Sequence, residues 1–350
     1  MSPYLFVLAM DALSMILHKM IEEDNLFTYH WRCDKAKITH ICFADDLLIF
    51  CGRSLSSMVT IKHALDTFFS FYGLSSNEDK SQIFVAGSDD DFKENILNIF
   101  GYPEGVLQTK HLGVPLISTK LSASDCKNLV EKIVARIRSW TSKQLSYAGR
   151  LQLLKSVLFS LQVYWTGLFI LPRSILDRVD QLLWNFLWNG CDSKWRGAKV
   201  SWEDVTCPKQ EGGLGIFKAD IWNKAIMARH IWNICRPDYH SLWTDWVKAY
   251  LIKEHSFWEI PIPQNCSWTW RKLLQLRDDI RPFILHVVGN GAATSLWFDA
   301  WLPFGSIFRL FGDRIIYDSG LPRHARVASI IQDGNWHWPV ANSPDLITLK

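Results

Sequence analysis

Asp45 and Asp46 stand side by side in the run Ile41-Cys42-Phe43-Ala44-Asp45-Asp46-Leu47-Leu48-Ile49-Phe50. Carboxylates taken into an apolar setting must be paired or bound to a cation. Two of them on a rigid tip offer the oxygen ligands that Mg²⁺ takes. Pairs of such ions clamp the attacking and leaving oxygens of a phosphoryl transfer. The same dipeptide is also ordinary turn chemistry, because Asp tolerates unusual backbone angles. The residues alone leave both readings open. The elements that would position the pair are strands: Lys37 to Phe43 leads in and Leu47 to Phe50 leads out, both rich in residues that suit a pleated surface. The expectation is a tight hairpin, its flanks packed into a core and Phe43 beneath the tip.

Around this hairpin the chain reads as helical. Ser2-Pro3 opens an apolar stretch, with Pro well placed in a first helical turn. Leu55, Met58, Val59, Leu65, Phe68, Phe69 and Tyr72 recur at helical spacing, Ser54 or Ser56 caps the start, and Gly73 turns the chain. His111-Leu112-Gly113-Val114-Pro115-Leu116 carries a Gly and a Pro that suit a second hairpin or turn. Gly87 to Asp91 reads as a polar loop.

Between residues 120 and 155 the charge changes. Lys120, Lys127, Lys132, Arg136, Arg138, Lys143, Arg150 and Lys155 face only Asp125 and Glu131. Leu129, Ile133, Ile137 and Trp140 form one apolar stripe, so the cations ride on amphipathic helices. Such a face suits a phosphate backbone, although a solvated helix surface has the same look. Beyond it the tryptophans gather: of 18 in the chain, Trp31 alone precedes residue 140. Trp184, Trp188, Trp195, Trp202, Trp222, Trp232, Trp243 and Trp246 read mainly as core, with base stacking as the other use. In Cys207-Pro208-Lys209-Gln210-Glu211-Gly212-Gly213-Leu214-Gly215 the spacing of a phosphate loop is absent and a turn is expected. Asp299 reads as a turn cap.

The length of 350 residues allows two or three domains, and a hydrophobic share of 48% is globular. A net charge of +3 says little about partners. The 8 cysteines form no CxxC pair, which supports reduced thiols and neither a disulfide framework nor a zinc ribbon. Cys191, Cys207, His230, Cys235 and His240 match no closed tetrahedral spacing, so no zinc is expected. The N-terminus lacks a basic leading region and Asp11 interrupts it, unlike a signal peptide. Ser156 to Pro172 is uncharged but slightly short for a span, and reads as a packed helix followed by extended chain.

Phe43-Ala44-Asp45-Asp46 resembles the aromatic-x-Asp-Asp box of reverse transcriptases, in the form found in non-LTR retrotransposons. Its neighbours fall in family order. Ser2-Pro3-Tyr4-Leu5-Phe6 resembles the start of the palm helix after the nucleotide-contacting loop. Phe71-Tyr72-Gly73-Leu74 with Asn77 and Lys80-Ser81 resembles the next palm motif. His111, Leu112, Gly113, Val114 and Pro115 resemble the primer-grip hairpin. Ser139-Trp140, Ala148-Gly149-Arg150 and Pro208 to Gly215 resemble the downstream region of plant LINE-type polyproteins, so the resemblance runs to about residue 310.

The resemblance implies an α+β fold: part of a polymerase palm over 1–118, a basic helical thumb over 119–190, and a mostly helical, Trp-rich region over 191–350 that leads toward a truncated zinc-binding domain. It implies RNA-directed DNA synthesis with Mg²⁺ on Asp45 and Asp46. It makes Lys80 a proton donor to the leaving pyrophosphate. It gives Lys127, Lys132, Arg136, Arg138, Lys143 and Arg150 to an RNA template and DNA primer. The expected place is inside the cell, in nucleus or cytoplasm, without a membrane; oligomeric state is not legible. Family polymerases hold a third metal-binding Asp upstream of the pair, and Asp11, Asp24 and Asp34 do not sit in that pattern. The expectation is therefore a fragment, truncated at both ends, that does not polymerise alone. The other reading is a non-catalytic nucleic-acid-binding or interaction protein.

Overall fold

Ser2 and Pro3 start a helix, α1 (Ser2–Glu23), that ends where Asp24 turns extended. Ala9, Leu13, Leu17 and Ile21 recur every fourth residue and form its buried side. A hairpin follows, β1 (His40–Phe43) and β2 (Asp46–Ile49), paired antiparallel from His40↔Ile49 to Phe43↔Asp46. Next comes α2 (Leu55–Tyr72). Ser54 caps it by accepting the Ser57 N–H, and Gly73, left-handed at φ 67°, closes it. The helix and both caps match the spacing read from sequence. Ala64 and Phe68 of α2 join Ala9, Leu13 and Leu17 in one buried cluster, with Leu47 of β2 packed against it. Burying such side chains stabilises by about 1.5–3 kcal/mol each. α3 (Asp90–Phe100) and the short hairpin β3 (Lys110–His111) and β4 (Val114–Pro115) complete this stretch.

The rest is helical: α4 (Lys127–Arg138), α5 (Tyr147–Leu153), a π-helical turn over Leu154–Leu158, α6 (Phe159–Leu168), α7 (Arg173–Asn189), α8 (Trp202–Val205), α9 (Ala219–Cys235), α10 (Leu242–Val247) and α11 (Trp268–Ile280). α12 (Ile307–Phe311), α13 (Asp313–Ser319), the two-residue strands β5 (Ile331–Gln332) and β6 (Asn335–Trp336), and α14 (Pro344–Leu349) follow. Helices with, among the described residues, three small two-stranded sheets make the fold α+β. Residues 156–172 run as helix to Leu168 and then extended, as expected. Among the described helices only α1 is long and apolar enough to cross a membrane.

The computed structural model describes residues 1–87, 90–106, 109–117, 119–140, 145–190, 200–339 and 343–349. They fall into two compact units. The first comprises Met1–Ile117 and Asp245–Leu251, the second Ser118–Thr244 and Ile252–Lys350. In the first, the returning segment is tied down by Trp246 Nε1, which donates to Arg32 O at 2.7 Å, and by the Tyr250 hydroxyl, which accepts the Lys35 N–H at 2.5 Å. In the second, α9 lies against α6, α7 and α11, burying Met227, Ile231 and Ile234. Two buried polar residues lock this packing. Asn223 accepts the Leu171 N–H at 2.8 Å and donates to the carbonyls of Thr166 and Phe169, closing the end of α6. Asp180 on α7 accepts the Ala219 N–H at 3.1 Å and so caps α9 from another helix.

Candidate functional site

The register of β1 and β2 leaves Ala44 and Asp45 as a two-residue loop, with Asp46 the first residue of β2. Ala44 takes φ 52°, a region that an Ala enters only at a cost of roughly 1–3 kcal/mol. Pairing alternates faces. His40, Cys42, Leu47 and Ile49 turn inward, and His40 fixes this face through Ser14 Oγ and Thr39 Oγ1, each 2.9 Å away. Ile41, Phe43, Asp46 and Leu48 share the outer face. This corrects one expectation. Phe43 is 62% exposed rather than packed beneath the tip, because the register sets it opposite Asp46 on the face away from α1 and α2. Only one face of the hairpin is covered, and both strands contribute to it.

Asp45 and Asp46 are both exposed. Their apolar neighbours therefore do not force them to find a partner, and the burial argument for a bound cation falls away. What stands is two adjacent carboxylates on a turn held from behind. Burial and then the Asp45 charge push the Cys42 thiol up, so a neutral SH sits beside the pair. Two exposed carboxylates suit Mg²⁺, which keeps several waters and takes one or two protein carboxylates. Among the described residues no group of three or more His, Cys, Asp or Glu is placed to hold a metal. Asp24 is engaged elsewhere, accepting the Thr60 hydroxyl at 2.6 Å. Among the described residues, the Cys and His considered for zinc form no group placed to hold a metal. His230 lies 2.8 Å from Gly167 O and Cys207 bonds to Glu203 O, while Cys191 lies outside the described residues. Burial pushes the Cys51 and Cys126 thiols up to about 11 and about 12, so both are neutral near pH 7.

Lys80 is exposed at the end of a turn in which Asn77 Oδ1 accepts its N–H at 3.1 Å. His111↔Val114 pairing makes Leu112 and Gly113 a two-residue loop with φ 52° and 80°. Positive φ at both positions is the primed hairpin turn. Val114 and Pro115 are buried and anchor it.

On α4, Leu129 and Ile133 face inward. Helical spacing then splits the cations into two strips. Lys132 and Arg136 form one, with Arg136 5.9 Å from the Trp140 ring; Lys127 and Arg138 form the other, where Lys127 pairs with Glu131 at 3.6 Å. Arg150 packs at the end of α7, where a Cβ on Gly190 would come within 2.9 Å of its Nη1. Lys143 lies outside the described residues. Of the tryptophans, Trp202 is buried, Trp184, Trp188, Trp222 and Trp246 are partly buried, Trp232 and Trp243 are exposed, and Trp195 is outside the described residues. Asp299 does cap a turn, accepting the Ser295 N–H at 2.7 Å. Sequence reasoning missed His40 behind the tip, and Trp268 with Lys272, whose spacing of four on α11 was a usable signal.

The chain is similar to two proteins of Arabidopsis thaliana. One, provisionally named a ribonuclease H protein, is 35% identical over 195 residues, or 54% of this chain and 31% of that protein. The other, an uncharacterized mitochondrial protein, is 24% identical over 144 residues, or 41% of this chain and 93% of its own length. The chain thus spans less than a third of the first relative. Over residues 1–116, which hold both hairpins and the Asp45–Asp46 pair, it matches the family Reverse transcriptase (RNA-dependent DNA polymerase).

Proposed function

We propose that this chain is part of an RNA-directed DNA polymerase of the plant LINE type, and that alone it does not polymerise. The observation that carries the reading is the exposed Asp45–Asp46 pair, which spans the end of a strained two-residue turn and the first residue of β2, inside the stretch that matches reverse transcriptases. In this reading residues 1–118 serve as palm, 119–190 as thumb, and the Trp-rich remainder leads toward a zinc-binding region while itself holding no zinc. Asp45 and Asp46 hold Mg²⁺, which supplies charge neutralisation at the oxygens of a transferring phosphoryl group. Lys80 gives a proton to the pyrophosphate as it leaves, help typically worth about 10²–10⁴-fold. Val114 and Pro115 steady the hairpin that supports the primer end. Work on an RNA template and DNA primer belongs in the nucleus or cytoplasm.

Inactivity alone follows from the missing ligand. Among the described residues no third metal-ligating group joins the pair, and misplacing a reacting group by about 1 Å already costs about 10²-fold. The test is primer extension on an RNA template with Mg²⁺, with Asp45→Ala, Asp46→Ala as control. No extension is expected from this chain. Extension that vanishes in the control overturns the inactivity. A longer polypeptide that adds the remaining palm and fingers is expected to extend the primer in dependence on both aspartates; if it does not, the polymerase reading falls. The second reading, a non-catalytic nucleic-acid-binding protein, is favoured by the exposed cations of α4 and predicts binding with no extension from any length of chain.

A further inference from the structure

Lys120, Trp268 and Lys272 meet within the second unit. Lys120 Nζ lies 5.4 Å and Lys272 Nζ 4.6 Å from the centroid of the same Trp268 ring. Each is held in place by its neighbours. Lys120 precedes the fully buried Leu121, and the turn beyond is closed by Asp125, which accepts the Ser122 N–H at 2.8 Å. Trp268 opens α11 next to buried Trp270, and its Nε1 donates to Ile170 O at 3.4 Å. Lys272 lies one helical turn on, over the same face. Arg271 precedes Lys272 on the same helix. Its guanidinium donates to the carbonyls of Pro263 and Gln264, and Lys272 donates to the Gln275 amide at 2.9 Å. These hydrogen bonds all end on uncharged oxygens. Two ammoniums therefore lie over one part-exposed indole.

We propose that Lys120, Trp268 and Lys272 form a contact for single-stranded nucleic acid: the two ammoniums take neighbouring phosphates and the indole stacks on a base. An ammonium that leaves the ring for a phosphate exchanges a cation–π contact for a charge-assisted hydrogen bond and uncovers a ring face. Indoles flanked by cations are the platform on which unpaired bases stack without sequence preference. The inference rests on the nucleic-acid reading above and adds to it a site made of residues outside α4.

The test uses the full chain and fluorescence anisotropy at several salt concentrations. The probes are a labelled oligothymidylate about 12 nucleotides long and an abasic strand of equal length, with a polyglutamate peptide as competitor. Lys120→Gln with Lys272→Gln is expected to weaken both strands and to flatten the slope of log affinity against log salt by about one to two. Trp268→Leu is expected to weaken the base-bearing strand about tenfold while leaving the abasic strand unchanged, and Trp268→Phe, which keeps a ring and guards against misfolding, to bind nearly as the unmodified chain does. An unchanged slope in the double lysine variant overturns the proposal. So does an equal loss on both strands in Trp268→Leu when Trp268→Phe binds normally, or polyglutamate competing as well as unlabelled oligothymidylate. If the unmodified chain binds neither strand, the nucleic-acid reading itself fails. If binding is lost on changing Lys132, Arg136 and Arg138 but not Lys120 and Lys272, this site alone is refuted.

Discussion

Ala44 shows how one residue reports on its setting. At φ 52° it occupies a position where Gly is at ease. Ala44→Gly should relieve that strain and raise stability by about 0.5–1 kcal/mol after the extra flexibility of unfolded Gly is counted. Chemical denaturation measures it, and a destabilised variant would show that the turn is not strained. Asp180 makes a second case. Burial pushes its carboxyl up to about 6, against the Ala219 N–H, which favours the charged form. The folded state thus holds a proton that the unfolded chain has already released. Its contribution is present below about pH 4 and is lost as pH rises toward 6. Asp180→Asn should remove that fall: the stability difference between variant and unmodified chain should shift in the variant's favour from pH 4 to pH 6. Unfolding curves at the two values decide it, and parallel pH dependences would refute it. Neither residue was legible in the sequence. Ala44 needed the register, and Asp180 needed a partner 39 positions away.

At the scale of elements, the pair α1 and α2 was readable because its signals are local: apolar residues at helical spacing, Ser54 before and Gly73 after. The hairpins were readable for the same reason. The covered face of the first was not. Ile41, Phe43 and Leu48 are as apolar as Cys42, Leu47 and Ile49, so alternation gave no phase, and pairing register alone decides which set turns outward. The anchor of this arrangement is testable. Leu17 is fully buried between α1 and α2. Leu17→Ala should cost the first unit about 3 kcal/mol, seen as a lower denaturation midpoint. Loss of less than about 1 kcal/mol would mean that the two helices do not share a tight core.

For the whole molecule, charge is the readable quantity. The cations from 120 to 155 were plain in the sequence; their division into two strips on α4, and the packing of Arg150 on Gly190, were not, because both depend on which face each helix buries. Phosphate contacts release counterions, so affinity for a primer–template should fall steeply with salt. Changing Lys132, Arg136 and Arg138 to Gln should reduce the logarithmic slope by up to about three, one for each phosphate contact removed. Binding that is flat with salt would remove the thumb reading while leaving the match over residues 1–116 in place.

The strap Asp245–Leu251 sets a timetable for the ribosome. Residues 1–117 leave the exit tunnel long before the strap that completes their unit is made. Until then the carbonyl of Arg32 and the amide of Lys35 wait without Trp246 and Tyr250. The first unit to emerge is therefore finished only after most of the second has been translated. A nascent chain halted before residue 245 should be open to protease near residues 32–35, and one released after residue 251 should resist it.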